Sequence, residues 1–287
     1  KDGKLYVTAG KTANWNAEVV GLETVKPLDS GKIRIDEKDL KLAEVIRTEL
    51  VQMSAGLRRC EVRKMTPVFT GDIAKDFGSE IVFKKQDDAE VRAAIAWDDT
   101  CLHLGWRVTD ATPWINGADS PEYMYARGDT VDFQLGTDPQ ADENRTEAAS
   151  GDLRLSIGNF GGPAAGKSTA VLYRKVADQK NRKTFSSGIV KGYVMDSVVV
   201  LQDAKIEVKK GDRWYVIEAA VPLSTLGLKP FAGMKLAGDF GATHGTPAGD
   251  DTLLRTYWNN QSTGLVNDEV FELKMEPRNW GQLQFRE

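Results

Sequence analysis

At 287 residues, 41% of them hydrophobic and 28% charged, the chain is long enough to bury a sizeable core, as one large domain or one domain plus a smaller one. A net charge of -4 offers no basic face for nucleic acid, and no apolar stretch reaches the ~18 residues of a membrane span. Only two histidines are present, which leaves little material for a Ser–His–Asp arrangement.

The chain opens on "KDGKLYV", without Met, and no signal peptide is read in it; the expectation is a processed protein or a piece of a longer one. Short strand-like pieces, "KLYVTAG" and "GKIRI", come first. One segment has a helical period: over 36–54, Leu42, Val45, Ile46, Leu50 and Met53 recur on one face, with Asp36 and Asp39 at the start and Gly56 just beyond the end. Residues 1–78 are read as an N-terminal extension, or the remnant of an upstream domain, built around this helix.

From about residue 79 the period becomes two. Leu102, Leu104, Trp106 and Val108 alternate with His103, Gly105 and Arg107; Val131, Phe133 and Leu135 alternate with Asp132 and Gln134; Leu153, Leu155 and Ile157 alternate with Arg154 and Ser156. "RWYVIEAAVP", "MKLAGDFGATHG" and "GQLQF" continue the pattern. Many short alternating strands between Gly, Asp and Pro predict a mainly β chain, an antiparallel, jelly-roll-like β-sandwich. Cys60 and Cys101 are read as separate thiols, a disulfide being the alternative in an oxidising compartment.

Residues 161–169, "GGPAAGKST", carry the spelling of a phosphate-binding P-loop. That chemistry needs a buried strand before the loop and a helix directly after it. Here the preceding strand alternates, and "TAVLYRKV" after it has the β-branched and aromatic content of another strand. A glycine-containing hairpin is the expectation.

The order of strands resembles carbohydrate-binding module family 9. "WDDTCLHLGWRVTD" is similar to that family's opening strand through Trp97, Asp98, Leu102, Leu104, Val108 and Asp110, with His103 in place of the usual Tyr. "GDTVDFQLGTD", "YVIEAAVPLSTL" and "NWGQLQF" are similar to later strands of the family. The resemblance spans roughly residues 79–287 and implies a sandwich that binds poly- or oligosaccharide without cleaving it, often with bound calcium. It also implies membership of a secreted, periplasmic or cell-surface bacterial protein of several domains. The family's acidic sugar contact falls on Asp132 and its arginine on Arg154. The family's two tryptophans fall near Ala126 and Val266, so Tyr123, Tyr125, Trp114, Trp258, Asn259 and Asn260 are taken as the neighbouring candidates. Period-two alternation places Asp132 and Arg154 on the face away from the core stripe, where a surface ion pair is the bland alternative.

Acidic loops supply hard oxygen ligands for calcium at Asp138, Asp142 and Glu143 and at Asp250 and Asp251. Those acids, with Asp98 and Asp99, also raise glycoside hydrolysis, but loop carboxylates are usually solvated turn residues. Haem, known on the same fold, needs axial ligands, for which His103 with Met124 or Met195 is the candidate set. The expected function is a non-catalytic carbohydrate-binding domain; a structural or protein-interaction sandwich without sugar binding is the alternative.

Overall fold

The computed structural model describes residues 57–162, 166–186, 192–260 and 272–287, together with the backbone of 4–9 and 13–18. The helix expected over 36–54 lies outside the described residues. The chain divides into two compact units, Lys1–Ser54 and Ala55–Glu287. In the first, β1 (Lys4–Ala9) and β2 (Ala13–Glu18) form an antiparallel hairpin.

The second unit is a β-sandwich made by one long sheet that curls back over itself. Its first half is built from β7 (Thr130–Gly136), β8 (Asp152–Phe160), β9 (Lys167–Arg174), β12 (Ser197–Val200) and β15 (Lys235–Gly245). Its second half holds β3 (Arg59–Lys64), β5 (Glu90–Trp97), β6 (Cys101–Thr109), β13 (Lys205–Gly211) and β14 (Trp214–Pro222), and β17 (Gly281–Arg286) joins the halves. The hydrogen-bonded order is β12-β9-β8-β7-β15-β17-β3-β5-β6-β14-β13, with β16 (Thr252–Tyr257) added on β15 and β4 (Ile81–Lys84) on β5. A separate hairpin pairs β10 (Lys183–Phe185) with β11 (Tyr193–Met195).

The sheet is mixed where an antiparallel one was expected. β3 runs parallel to both β17 and β5. Residues 57–78, assigned above to the N-terminal extension, therefore contribute a strand to the sandwich, and the short helix α1 (Ile73–Phe77) besides. α1 starts where the Asp72 side chain accepts from Lys75 N at 3.3 Å, and it stops at Gly78, whose φ of 70° suits glycine.

The alternating apolar sets meet between the halves as read. Leu102, Leu104, Trp106, Val131, Phe133, Leu153, Leu155, Ile157, Ile217 and Phe240 form one core. The Phe240 ring lies edge-on to Trp106 at 6.1 Å and 4.9 Å from Phe133. Each such side chain, fully buried, contributes about 1.5 to 3 kcal/mol relative to exposure.

The faces pointing away from this core are not open. One carries a second apolar layer of Met124, Tyr125, Tyr173, Phe185, Met195, Leu273, Met275 and Trp280. The other carries a third, from Ile73, Phe77, Ala94, Ala96 and Val216. Every residue of β7 is consequently buried, as are all of β8 except Phe160.

The P-loop spelling is a hairpin. β8 and β9 pair antiparallel with Phe160 opposite Lys167 and Asn159 opposite Ser168, so strand rather than helix follows the glycines.

Candidate functional site

Asp132 and Arg154 lie one register step apart on β7 and β8, since Asp132 is opposite Ser156 and Gln134 opposite Arg154. Arg154 Nη2 donates to Asp132 Oδ2 at 2.7 Å, and Ser156 Oγ donates to Oδ1 at 2.5 Å. From the other side β15 brings Gly241 opposite both Asp132 and Tyr257. A Cβ on Gly241 would sit 2.4 Å from the Tyr257 ring; glycine leaves the space through which that ring reaches over the sheet. The Tyr257 hydroxyl then donates to Asp132 Oδ2 at 2.6 Å. Arg154 Nη1 donates to the Glu272 carbonyl at 2.5 Å, and its guanidinium lies 5.8 Å from the Tyr125 ring.

Sequence periodicity placed this pair off the core stripe, which is correct, and implied a solvated surface, which is not. Asp132 is 0% and Arg154 1% exposed. The reason is the second apolar layer: the 3₁₀ turn Pro121–Ala126, the β10–β11 hairpin and residues 273–280 roof the face. Burial acts against the charged Arg154, but the Asp132 carboxylate outweighs it and holds the guanidinium firmly ionised. Burial pushes the Tyr257 and Tyr173 hydroxyls well above their ordinary range, so both stay protonated donors. Arg154 Nε alone has no acceptor among the described residues.

The aromatic candidates separate. Tyr125 is buried in the roof, edge-on to Tyr173 at 6.0 Å. Tyr123 sits beside it at 6.4 Å, its ring nearly parallel, and is 36% exposed. Trp114 and Trp258 belong to the main core: Trp114 lies 4.4 Å from the Tyr215 ring, and Trp258 is edge-on to Phe240 at 6.3 Å. Both are buried, Trp114 to 3% and Trp258 to 4% exposure. Asn259 and Asn260 make hydrogen bonds within the fold. Asn259 Nδ2 donates to the Asn279 carbonyl at 2.8 Å, and the backbone N–H groups of both donate to Asp239 at 2.8 and 2.9 Å. Val266 lies outside the described residues.

The Asp residues named for calcium are engaged in their own loops. Among the described residues no three His, Cys, Asp or Glu side chains converge. The acids cap their own turns instead: Asp138 Oδ1 accepts from Gln140 N, Asp142 Oδ1 from Asn144 N, Asp251 Oδ1 from Thr252 N, and Asp250 Oδ1 from Thr246 Oγ1. Glu143 stands exposed on the same turn as Asp142. Haem ligation fails on geometry, since His103 Nε2 is engaged by Asp98 at 2.8 Å on one outer face, whereas Met124 and Met195 pack in the layer on the other. Cys60 and Cys101 are free thiols.

One polar line escaped the sequence reading. Asp110 Oδ2 lies 3.1 Å from His244 Nδ1, and His244 Nε2 lies 3.3 Å from Thr256 Oγ1. The order resembles a nucleophile–base–acid relay, but Thr256 is 1% exposed and presents no hydroxyl to a substrate. Asp110, just past the end of β6, is 134 residues from His244 on β15, so no local spacing announces the line.

No family model and no curated protein matches the chain. Solved structures do match. A carbohydrate-binding module family 9 protein from Caldicellulosiruptor kristjanssonii in complex with cellotriose is 16% identical over 80% of this chain and 94% of its own, with a TM-score of 0.51. The chain has the fold of a family 9 carbohydrate-binding module. The module from the same organism in complex with glucose aligns over 80% of this chain and 96% of its own at 15% identity, with a TM-score of 0.48.

Proposed function

We propose that the chain is a non-catalytic carbohydrate-binding domain, working as part of a larger, secreted polysaccharide-processing protein. The observation that carries this reading is the Asp132–Arg154 pair on adjacent strands of a module-like sandwich. A carboxylate and a guanidinium side by side can grip vicinal hydroxyls through charge-assisted hydrogen bonds. Arg154 Nε is a donor still available there, and Tyr123 and Tyr125 form an aromatic path from the surface toward the pair. The cellotriose held by the similar module supports a short glucan as the ligand class. Binding at the pair requires the turn that carries Tyr123 and Tyr125 to give way. Calcium has no part in this reading.

A second reading, a structural or protein-interaction sandwich without sugar binding, is favoured by one observation: the pair lies beneath the roof with its ion pair already satisfied. A glycan array run with calcium and with chelator separates the two. Retention of a glucan class on both arrays supports the first; an array blank under both conditions leaves the second.

A further inference from the structure

The outer face of β5, β6 and β14 holds a buried pair of carboxyl groups that sugar binding does not use. α1 lies across this face, with Ile73 and Phe77 seated over Gly105, where a Cβ would fall 2.9 Å from the Phe77 ring. The loop leading into α1 is held by two acids. Asp76 accepts from Thr70 N and Thr70 Oγ1, both at 2.7 Å, and from Asp72 N at 3.3 Å. Glu218, rising from β14, accepts from Gly71 N at 2.8 Å through Oε2. Glu218 is 2% and Asp76 7% exposed. The second Glu218 oxygen, Oε1, is buried where no N–H or O–H group of the described residues donates to it. Three consecutive N–H groups, of Thr70, Gly71 and Asp72, donate to the two carboxyl groups in turn, which sets Asp76 and Glu218 side by side, within hydrogen-bonding reach of each other. Two carboxyl groups in such contact, away from water, must share a proton.

We propose that Glu218 carries that proton and donates it to the Asp76 carboxylate, making the pair a pH-operated latch that holds Thr70–Phe77 on the sheet and releases it when Glu218 ionises.

The surroundings assign the proton to Glu218. Burial acts on Asp76 upward, but hydrogen bonds from Thr70, Glu218 and Asp72 outweigh it and hold Asp76 below the usual range. For Glu218, burial first and then the hydrogen bond and charge of Asp76 raise the pKa to about 7, against the Gly71 N–H and Lys209. The other charged groups facing this position are already engaged. On β13, Glu207 stands opposite Glu218 and lies 3.5 Å from Lys205, and Lys209 Nζ donates to the Thr70 carbonyl. On β6, His103 is bonded to Asp98 and Arg107 lies over the Trp214 ring at 4.5 Å. On β5, Arg92 is paired with Glu80 and Glu90 at 2.7 and 2.8 Å. Asp72 caps α1 through Lys75 N. None of these supplies Oε1 with a donor.

A folded-state pKa raised from 4.5 to about 7 means the folded protein binds the extra proton. The latch therefore contributes fully below pH 4.5, and its contribution is lost as pH rises through about 7. Amide exchange at Gly71, measured on the full chain from about pH 5.5 to 8.5 and corrected for intrinsic rates, tests this directly. Protection of Gly71 is expected to fall by roughly tenfold or more across that range in the wild type, one pKa unit of coupling being a tenfold change. In Glu218→Gln, whose amide donates to Asp76 at every pH while its oxygen still accepts from Gly71, protection is expected to stay flat. Asp76→Asn removes the neighbouring charge and is expected to move the wild-type transition to lower pH. Flat protection in the wild type, or a fall that persists in Glu218→Gln, overturns the latch. Neither result bears on sugar binding.

Discussion

At the residue scale, the pair Asp132 and Arg154 changes character once its burial is known. An exposed ion pair contributes about 0 to 1 kcal/mol, whereas removing one partner of a buried pair strands the other charge. Arg154→Ala is therefore expected to lower unfolding free energy by about 3 to 5 kcal/mol in urea titration, and a loss under about 1 kcal/mol contradicts the buried network. This limits the value of Arg154 as a binding probe, since the variant loses fold and ligand together. Tyr123, 36% exposed, is the residue whose removal leaves the network intact. The polar pair was legible in the sequence because Asp132 and Arg154 break the apolar stripe of their strands. Their burial was legible only indirectly, in β9, where Ala170 and Leu172 face the main core while Val171 and Tyr173 enter the second layer. A strand apolar on both faces signals cover on both sides. Trp114 and Trp258 misled because a tryptophan near a polar strand reads equally as platform or core; only register decides.

At the element scale, the period-two strands were found where the alternation is strict, and the hairpin at 161–168 followed from the strand character on both flanks. β3 was missed because "RCEVRK" has a single fully buried residue, Val62, and half-polar edges leave no stripe to read. Its place is nonetheless central. It joins β17 to β5, and with them the two halves of the sheet. Without β3 the facing N–H and C=O groups of β17 and β5 lose their partners, and Val62 leaves the main core. A chain starting at Ala55 is expected to unfold cooperatively, with far-ultraviolet circular dichroism typical of a β protein. One starting at Ser79, which matches the extent of the resemblance, is expected to be poorly folded or aggregated. Equal thermal stability of the two contradicts the bridging role assigned to β3. Lys167 is exposed at the start of β9, on a strand and not on a helix.

At the scale of the whole molecule, three buried carboxyl groups set the response to pH. Burial, then the charge of Asp110, pushes Asp129 up to about 8; burial pushes Asp239 up to about 7 against the N–H groups of Asn259, Asn260 and Phe240; and Glu218 also rises to about 7. All three bind protons more tightly in the folded state than in the unfolded chain, where such groups titrate near 3.8 to 4.5. Their contribution to stability is complete below those unfolded values and is lost as pH rises through about 7 to 8. Asp98 and Asp76 act oppositely, being held low by hydrogen bonds that outweigh burial, so their contribution disappears in acid. The melting temperature is expected to peak on the mildly acidic side and fall toward pH 8; a curve that rises steadily from pH 5 to 8 contradicts these buried acids. The sandwich itself was legible in the order of strand motifs, while the covered outer faces, built by the 3₁₀ turn, α1 and the β10–β11 hairpin, have no repeating pattern to reveal them. Those covers decide whether the module-like fold still holds a sugar. The most direct measurement is calorimetric titration of cellotriose, or of the glycan retained on an array, into the wild type and Tyr123→Ala. Stacking a sugar's apolar face on an exposed tyrosine removes enough area from water for about 1 to 2 kcal/mol. Saturable binding by the wild type is expected, with roughly tenfold weaker binding by Tyr123→Ala at unchanged melting temperature. Binding that is identical in the two proteins, or no heat with any glycan, contradicts this.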